Sequence, residues 1–174
     1  RSILFCFWAG EEFGLLGSKF WVENNKEKLP KISNYFNRDG GPTAASGLVV
    51  PENWYEDMIK CTKELTDYHP EIPFSVEKST RPPREIPKTA GGSDHAYFAM
   101  HGVPTVAFRN TDPLGYNFSY WEIWHTNRDL YNMSIPVYMD YTSVTQAVTL
   151  YNLANLKRLL PRDEIYATDK KEKL

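Results

Sequence analysis

Ile3-Leu4-Phe5-Cys6-Phe7-Trp8-Ala9-Gly10-Glu11-Glu12-Phe13-Gly14-Leu15-Leu16-Gly17-Ser18 is the stretch on which the fold turns. Its first six residues form an unbroken apolar run, which predicts a strand buried on both faces, as in a parallel sheet. Glu11 and Glu12 follow the carboxyl end of that strand, where open α/β sheets bind their ligands. A plainer reading is that two acids open a helix, because negative charge is favoured near a helix N-terminus. The buried strand and the glycines around the pair favour the ligand-binding reading.

Working outward, two more segments repeat the pattern. Ile32-Ser33-Asn34-Tyr35-Phe36 predicts a short strand that runs into Asn37-Arg38-Asp39-Gly40-Gly41, and Pro104-Thr105-Val106-Ala107-Phe108 predicts another. The latter leads through a long aromatic loop to Trp124-His125-Thr126. An acid pair, a lone Asp and a lone His thus each follow a predicted strand. If the strands are parallel neighbours, these groups gather at one sheet edge. Carboxylate oxygen and imidazole nitrogen suit zinc, and a second carboxylate beside a ligand suits a general base.

Four motifs together carry a resemblance: the Gly10–Ser18 run, Asn37-Arg38-Asp39, Ser93-Asp94-His95, and His125-Thr126-Asn127-Arg128-Asp129. In order and spacing, from residue 3 to about 160, the chain resembles the co-catalytic two-zinc metallopeptidases. That family includes bacterial leucyl-type aminopeptidases, glutamate carboxypeptidases and non-catalytic transferrin-receptor-like relatives. The first motif is specific, the His-Thr motif less so, and the Ser-Asp-His motif is supportive.

The resemblance implies an α/β fold: a mostly parallel mixed sheet flanked by helices on both faces, of the zinc-exopeptidase-like phosphorylase/hydrolase type. It implies two zinc ions per complete active site and a peptide substrate. It matches Glu11 to the general base, Glu12 and His125 to ligands of one zinc, and Asp39 to a ligand of the other. Asp94 matches an acid near the base, able to orient it and raise its proton affinity. Family members carry two further ligands before the Glu-Glu pair, a His in a His-x-Asp motif and a bridging Asp. Neither is present here, since His69, His95 and His101 stand in no such setting. The expectation is therefore that the 174 residues are the C-terminal part of a catalytic domain, incomplete at its N-terminus and inactive alone. A secreted or periplasmic setting is also implied by the resemblance; no signal is visible in the sequence.

Composition bounds the alternatives. Hydrophobic residues at 41% and charged residues at 24% are ordinary for a globular chain, and the length suits one domain, 1–174, with no internal boundary. A net charge of −2 provides no basic footprint for nucleic acid, and no apolar run reaches membrane-spanning length. Cys6 and Cys61 read as buried thiols. Nothing fixes the oligomeric state.

The remaining elements alternate. Residues 13–25 suit a helix. Asn53 with Glu56 resembles a capping box, followed by an apolar stripe, Trp54, Met58, Cys61 and Leu65. Phe74-Ser75-Val76-Glu77 is a weak strand, and the proline-rich segment 80–88 is a loop, either a rim of the site or plain surface. A short helix is expected over 94–101, capped by Ser93, with His95 structural, His101 at its exposed end, and His69 facing solvent. A last helix is expected from Ser134, with Pro136 in its first turn and an apolar face of Val137, Tyr141, Val144, Val148 and Tyr151, continued by Leu159 and Leu160. The charged tail after Pro161, ending in Asp169-Lys170-Lys171-Glu172-Lys173, is expected to fray.

In the aromatic loop, Tyr116, Phe118 and Tyr120 read either as a specificity pocket or as loop packing, with one or two of them expected at a pocket. Arg109 reads either a substrate carboxylate or a neighbouring acid. Three functions follow. The preferred one is a zinc-dependent exopeptidase, an aminopeptidase in particular, with Glu11 activating water. The alternatives are a single-zinc enzyme that cyclises N-terminal glutamine and a non-catalytic relative. Retention of Glu11, Glu12, Asp39 and His125 together argues against the last.

Overall fold

The computed structural model describes residues 1–167. Among the described residues five strands and five α-helices follow in the order α1 (Leu16–Glu23), β1 (Tyr35–Asn37), β2 (Ala44–Val50), α2 (Glu52–Cys61), β3 (Ser75–Lys78), α3 (His95–Ala99), β4 (Thr105–Ala107), β5 (Arg109–Thr111), α4 (Tyr120–Ile123) and α5 (Pro136–Ala154). Strands β1 and β4 pair in parallel, Tyr35 opposite Thr105. Strand β2 pairs in parallel with β3 and antiparallel with β5. The pairing is thus mostly parallel with one antiparallel edge, the α/β mixture that the apolar runs imply.

Helix α5 packs on β2, α2 packs on α5 and β3, and α3 packs on β1 and β4 with α1 against it. The largest core unites Leu48 and Val50 of β2 with Trp54, Met58 and Cys61 of α2, together with Phe108 and Leu153. The helical stripe read at 54, 58 and 61 is therefore core. A second core joins Val22, Leu29, Phe98 and Val103, with Trp8 and Trp21 against it.

Several expectations are corrected. Residues 3–8 form no strand; Phe5 is 74% and Phe7 94% exposed. A strand exists through its hydrogen-bonded neighbour, and among the described residues no segment pairs with this one. Trp8 alone is anchored, its indole N–H donating to the Tyr35 hydroxyl at 2.9 Å. The capping box at Asn53 is absent, because Pro51 occupies the cap position and the Asn53 amide donates instead to Glu164 at 2.8 Å. Ser93 does not cap α3; its hydroxyl accepts a bond from the Asn37 side chain at 3.1 Å. His69 is half-buried against Tyr141, edge to face at 6.0 Å, rather than solvent-facing.

Helix α5 begins where Pro136 indicates, but it buries a different face: Tyr138, Tyr141, Thr142, Thr145, Thr149 and Leu153. Tyr151 is exposed, Leu160 is buried and Leu159 is partly open. Residues just after Pro161 are packed rather than frayed. Arg162 donates to the carbonyls of Gly102, Leu29, Pro30 and Ile32, and Tyr166 bridges to Arg84. The expectation for 169–173 lies outside the described residues. Cys6 and Cys61 are both free. Among the described residues no helix is long and apolar enough to cross a membrane.

Candidate functional site

The segment that holds Glu11 and Glu12 is a tight turn. Gly10 and Gly14 both take positive φ, and so does Leu15 at 59°, a conformation costly for a bulky side chain. Leu15 is buried, and backbone bonds from Gly14 and Leu15 return to the Glu11 carbonyl at 3.1 and 2.9 Å. The turn is thus over-determined by packing and bonding, and it leaves Glu12 exposed and Glu11 half-buried.

His125 follows α4 and also takes positive φ, 54°. Its Nε2 lies 2.9 and 3.1 Å from the two carboxylate oxygens of Glu12. The imidazole stacks on Trp124, ring centroids 4.0 Å apart. Trp124 stacks in turn on Tyr120 at 6.4 Å and meets Trp121 edge-on at 5.3 Å. The Tyr120 ring lies against Gly41, where a Cβ would stand 3.4 Å from it. Gly41 itself has φ +63°. A glycine therefore suits this turn twice, for its conformation and for the closeness of the ring.

Asp39 lies on the turn after β1 and is exposed. Arg38 holds that turn. Its guanidinium donates to the carbonyls of Gly41 at 2.7 Å and Thr43 at 3.0 Å and to the Asn110 side chain. Burial lowers the proton affinity of Arg38 against the opposing pull of Asp39. The Asn37–Ser93 bond links the same turn to the Ser-Asp-His motif. Asp94 is 7% exposed, and one of its carboxylate oxygens has no partner among the described residues.

These elements share one electrostatic neighbourhood centred on Glu11. Its proton affinity is raised first by desolvation, then by Asp39, Glu12 and Asp94, and lowered by His125. The Tyr120 hydroxyl is also shifted upward, by burial and then by Asp39, Glu12 and Glu11. His95, half-buried, is shifted downward by desolvation.

The structure brings Glu12 and His125 into contact. It does not close Asp39 onto them: among the described residues no group of three or more His, Cys, Asp or Glu side chains stands at metal-holding distance. Two ligands of one tetrahedral zinc, with bonds of ~2.0–2.2 Å, stand roughly 3.3 Å apart. The Glu12–His125 pair is therefore suited to one ion in donor type and in spacing. Zinc needs at least three protein donors, so the remainder must come from outside this pair.

Arg109 does not read the site. It donates to Glu77 and to Ser75 at 2.6 Å each. Of the loop aromatics, Tyr116 packs edge-on against Tyr138 at 5.4 Å, Phe118 supports a core cluster, and Tyr120 faces the carboxylates. Arg38 and Trp124 stand within the quoted motifs, but their roles rest on local turn geometry, the Arg38 bonds to the Gly41 and Thr43 carbonyls and the Trp124 stack on His125, which a residue pattern does not show. Loop 80–88 is exposed surface, but Ala90, Gly91 and Gly92 just beyond it line a cleft with Glu11 and Glu12.

Comparison with known proteins places the chain in a family. The model of peptidase family M28 matches residues 1–148. A probable glutamate carboxypeptidase of Arabidopsis thaliana is 31% identical over 112 residues, which are 61% of this chain and 16% of that protein. Carboxypeptidase Q of Rattus norvegicus is 24% identical over 163 residues, 93% of this chain and 31% of that protein. A probable leucine aminopeptidase 2 of Aspergillus fumigatus is 29% identical over 117 residues, 60% of this chain and 21% of that protein. The chain thus spans under a third of the length of these relatives. The family match runs through Glu11, Glu12, Asp39, Asp94 and His125, and on it the chain belongs to peptidase family M28.

Proposed function

We propose that the protein is a zinc-dependent exopeptidase, and more narrowly an aminopeptidase, in which Glu12 and His125 hold one zinc ion, Asp39 a second, and Glu11 serves as general base. The observation that carries the reading is the Glu12–His125 contact at 2.9 Å beside a carboxylate of raised proton affinity. A bound zinc ion supplies Lewis-acid polarisation of the scissile carbonyl. Glu11 takes a proton from the attacking water at its carboxylate oxygen and returns it to the nitrogen of the leaving amine. Desolvation and the neighbouring acids strengthen Glu11 as a proton acceptor. The buried Asp94 adds negative charge near Glu11 and supports that role.

His125 is oriented by its stack on Trp124, and Asp39 by the Arg38 clamp on its turn. Donors beyond these three come from other parts of the protein or from a partner chain. The aminopeptidase choice rests on the Gly14-Leu15-Leu16-Gly17-Ser18 resemblance; the matched relatives include carboxypeptidases as well. A secreted or periplasmic setting belongs to the same proposal.

The test is hydrolysis of leucyl-anilide and of C-terminally extended peptides by the natural protein, with and without a zinc chelator. Chelator-sensitive release of the N-terminal residue is expected. Release from the C-terminus alone would overturn the narrower reading, and no zinc-dependent peptide hydrolysis would overturn the broader one.

A further inference from the structure

Asn117-Phe118-Ser119 and Asn132-Met133-Ser134 are the two places in the chain where a serine or threonine stands two residues after an asparagine. No proline lies between, so each is an acceptor sequence for an N-linked glycan. The triplet alone is a weak signal; the folded surroundings decide whether a sugar fits.

Both asparagines are exposed. Asn117 stands in the loop between β5 and α4 at φ 57°, and Asn132 in a single 3-10 turn, Tyr131–Met133. The side-chain hydrogen bonds of these segments run through Asp112, Tyr138 and Thr126. Among the described residues none of them uses the Asn117 or the Asn132 carboxamide. Asp112 takes the backbone N–H groups of 116–118, so the loop keeps its shape without the Asn117 side chain. A glycan on either nitrogen therefore breaks no bond of the fold.

The two asparagines also line one open groove of about 310 Å³, with Phe118, Met133, Ile135 and Pro136 among its walls. Exposed Tyr116 and Tyr131 directly precede them. Exposed apolar and aromatic surface of this kind marks a contact site, and a sugar ring offers it a C–H face while its hydroxyls stay in water. The groove shares no lining residue with the cleft at Glu11 and Glu12.

We propose that Asn117 and Asn132 are acceptors of N-linked glycans, carried together at this groove. The inference rests on the secreted setting proposed above and goes beyond the peptidase chemistry. In the transfer, the carboxamide nitrogen attacks the anomeric carbon of an oligosaccharide borne on a lipid pyrophosphate. The C–N bond forms and the bond from that carbon to the pyrophosphate oxygen breaks. The lipid pyrophosphate leaves with the electron pair, the amide proton passes to a base of the transferase, and nothing is oxidised or reduced.

The experiment produces the natural protein in a eukaryotic secretory host. Glycans are released enzymatically in heavy-oxygen water, which turns each sugar-bearing asparagine into labelled aspartate, and the peptides are read by mass spectrometry. Label is expected at both 117 and 132. Asn117→Gln and Asn132→Gln should each lose one glycan on a gel. Ser119→Ala and Ser134→Ala keep the asparagine and remove the recognised hydroxyl, and each should lose the same glycan as its partner variant. Secreted protein with an unlabelled asparagine at either position would overturn the paired acceptors and leave the secreted setting and the peptidase reading standing. Natural protein retained in the cytosol of that host would overturn the setting and the glycans together, while its zinc-dependent hydrolysis decides the peptidase reading separately.

Discussion

Trp124 lies flat against the imidazole of His125, ring centroids 4.0 Å apart and planes 22° from parallel. His125 is held at φ 54°, a conformation that costs a non-glycine residue of order 1–3 kcal/mol and persists only where its surroundings over-determine it. The stack, backed by Tyr120 and Trp121, provides that determination. It also ties the His125 loop to the turn that carries Asp39, because Tyr120 rests on Gly41.

Trp124→Ala should therefore loosen His125 and weaken zinc binding by the natural protein. Groups that orient a metal-binding His are typically worth 10–100-fold in affinity. A loss of about that size is expected, with most of it restored in Trp124→Phe, which keeps an aromatic face. Competition with a chromophoric chelator reads the affinity. Unchanged affinity in Trp124→Ala would show that His125 is oriented by other contacts.

Glu11 is proposed as base and not as ligand, so Glu11→Gln should separate the two roles. Peptide hydrolysis should fall by ~10²–10⁴-fold while zinc content, measured by elemental analysis, stays at the parent level. Loss of zinc, or activity within a few-fold of the parent, would contradict the assignment.

The legibility of the chain follows what each feature depends on. Helix α2 was readable because Trp54, Met58 and Cys61 recur on one face, and all three are buried. The extent of α5 was readable from Pro136, but its buried face was not. Thr142, Thr145 and Thr149 are inside. The Thr142 hydroxyl accepts the Ala45 amide at 3.0 Å and that of Thr145 donates to the Thr142 carbonyl at 3.0 Å. A pattern of apolar against polar residues cannot register Thr142 and Thr145, whose hydroxyls are satisfied internally, or Thr149, which is buried with its hydroxyl unpartnered among the described residues. The run at 3–8 reads as a strand by composition, yet strand formation belongs to a pair of segments and not to one. The positions of Glu11, Glu12, Asp39, Asp94 and His125 were likewise readable as motifs. The Trp124 stack and the Arg38 clamp were not, because both depend on the turn geometry that sets neighbouring residues face to face, Trp124 on His125 and Arg38 on the Gly41 and Thr43 carbonyls, and not on a residue pattern.

Arg162 offers a test of how the β1–β4 side is held. Its guanidinium meets four backbone carbonyls, those of Leu29, Pro30, Ile32 and Gly102, at 2.6 to 3.2 Å. It thereby fastens the approach to β1 and the approach to β4 to the C-terminal segment. Replacement by Met keeps the stem and strands the carbonyls. A buried group left unsatisfied costs about 1–3 kcal/mol, and in a chain of this size each kcal/mol moves the melting temperature by roughly 2–4 °C. Arg162→Met should thus melt several degrees below the parent by calorimetry. An unchanged melting temperature would mean that water replaces the guanidinium at no cost.

Asp112 and Tyr138 predict an acid-sensitive loop. The Tyr138 hydroxyl donates to Asp112 at 2.6 Å and accepts the Leu114 amide at 2.8 Å. That bond, aided by backbone N–H groups of 116–118, holds the Asp112 carboxyl below its ordinary range, and the Tyr138 hydroxyl is pushed up to about 12, first by burial and then by Asp112. For a carboxyl with a depressed folded-state pKa, the stabilisation is present above the unfolded value of about 3.9 and is lost as pH falls through the lower folded value. The loop after β5 should loosen only in that acid window. Tyr138→Phe removes the main cause of the depression, so its acid transition, followed by tryptophan fluorescence, should lie at higher pH than the parent's. Coincident acid transitions would show that the backbone N–H groups suffice.

The count of donors sets the last expectation. In the proposed assignment Glu12 and His125 give two ligands to one position, and among the described residues Asp39 does not join them in a group of three. A catalytic zinc is held by three protein ligands with one position left open, so under this assignment neither metal position is complete among the described residues. The proton affinity of Glu11 is raised first by desolvation and then by the neighbouring carboxylates of Asp39, Glu12 and Asp94. This polypeptide in isolation should therefore bind zinc weakly and substoichiometrically and hydrolyse aminoacyl-anilides little above background. His125→Ala should remove what binding there is, because Glu12 would then be a single ligand. Two tightly held zinc ions with full turnover from residues 1–174 alone would show that other side chains of this chain act as ligands, and that the assignment of Glu12, Asp39 and His125 is incomplete.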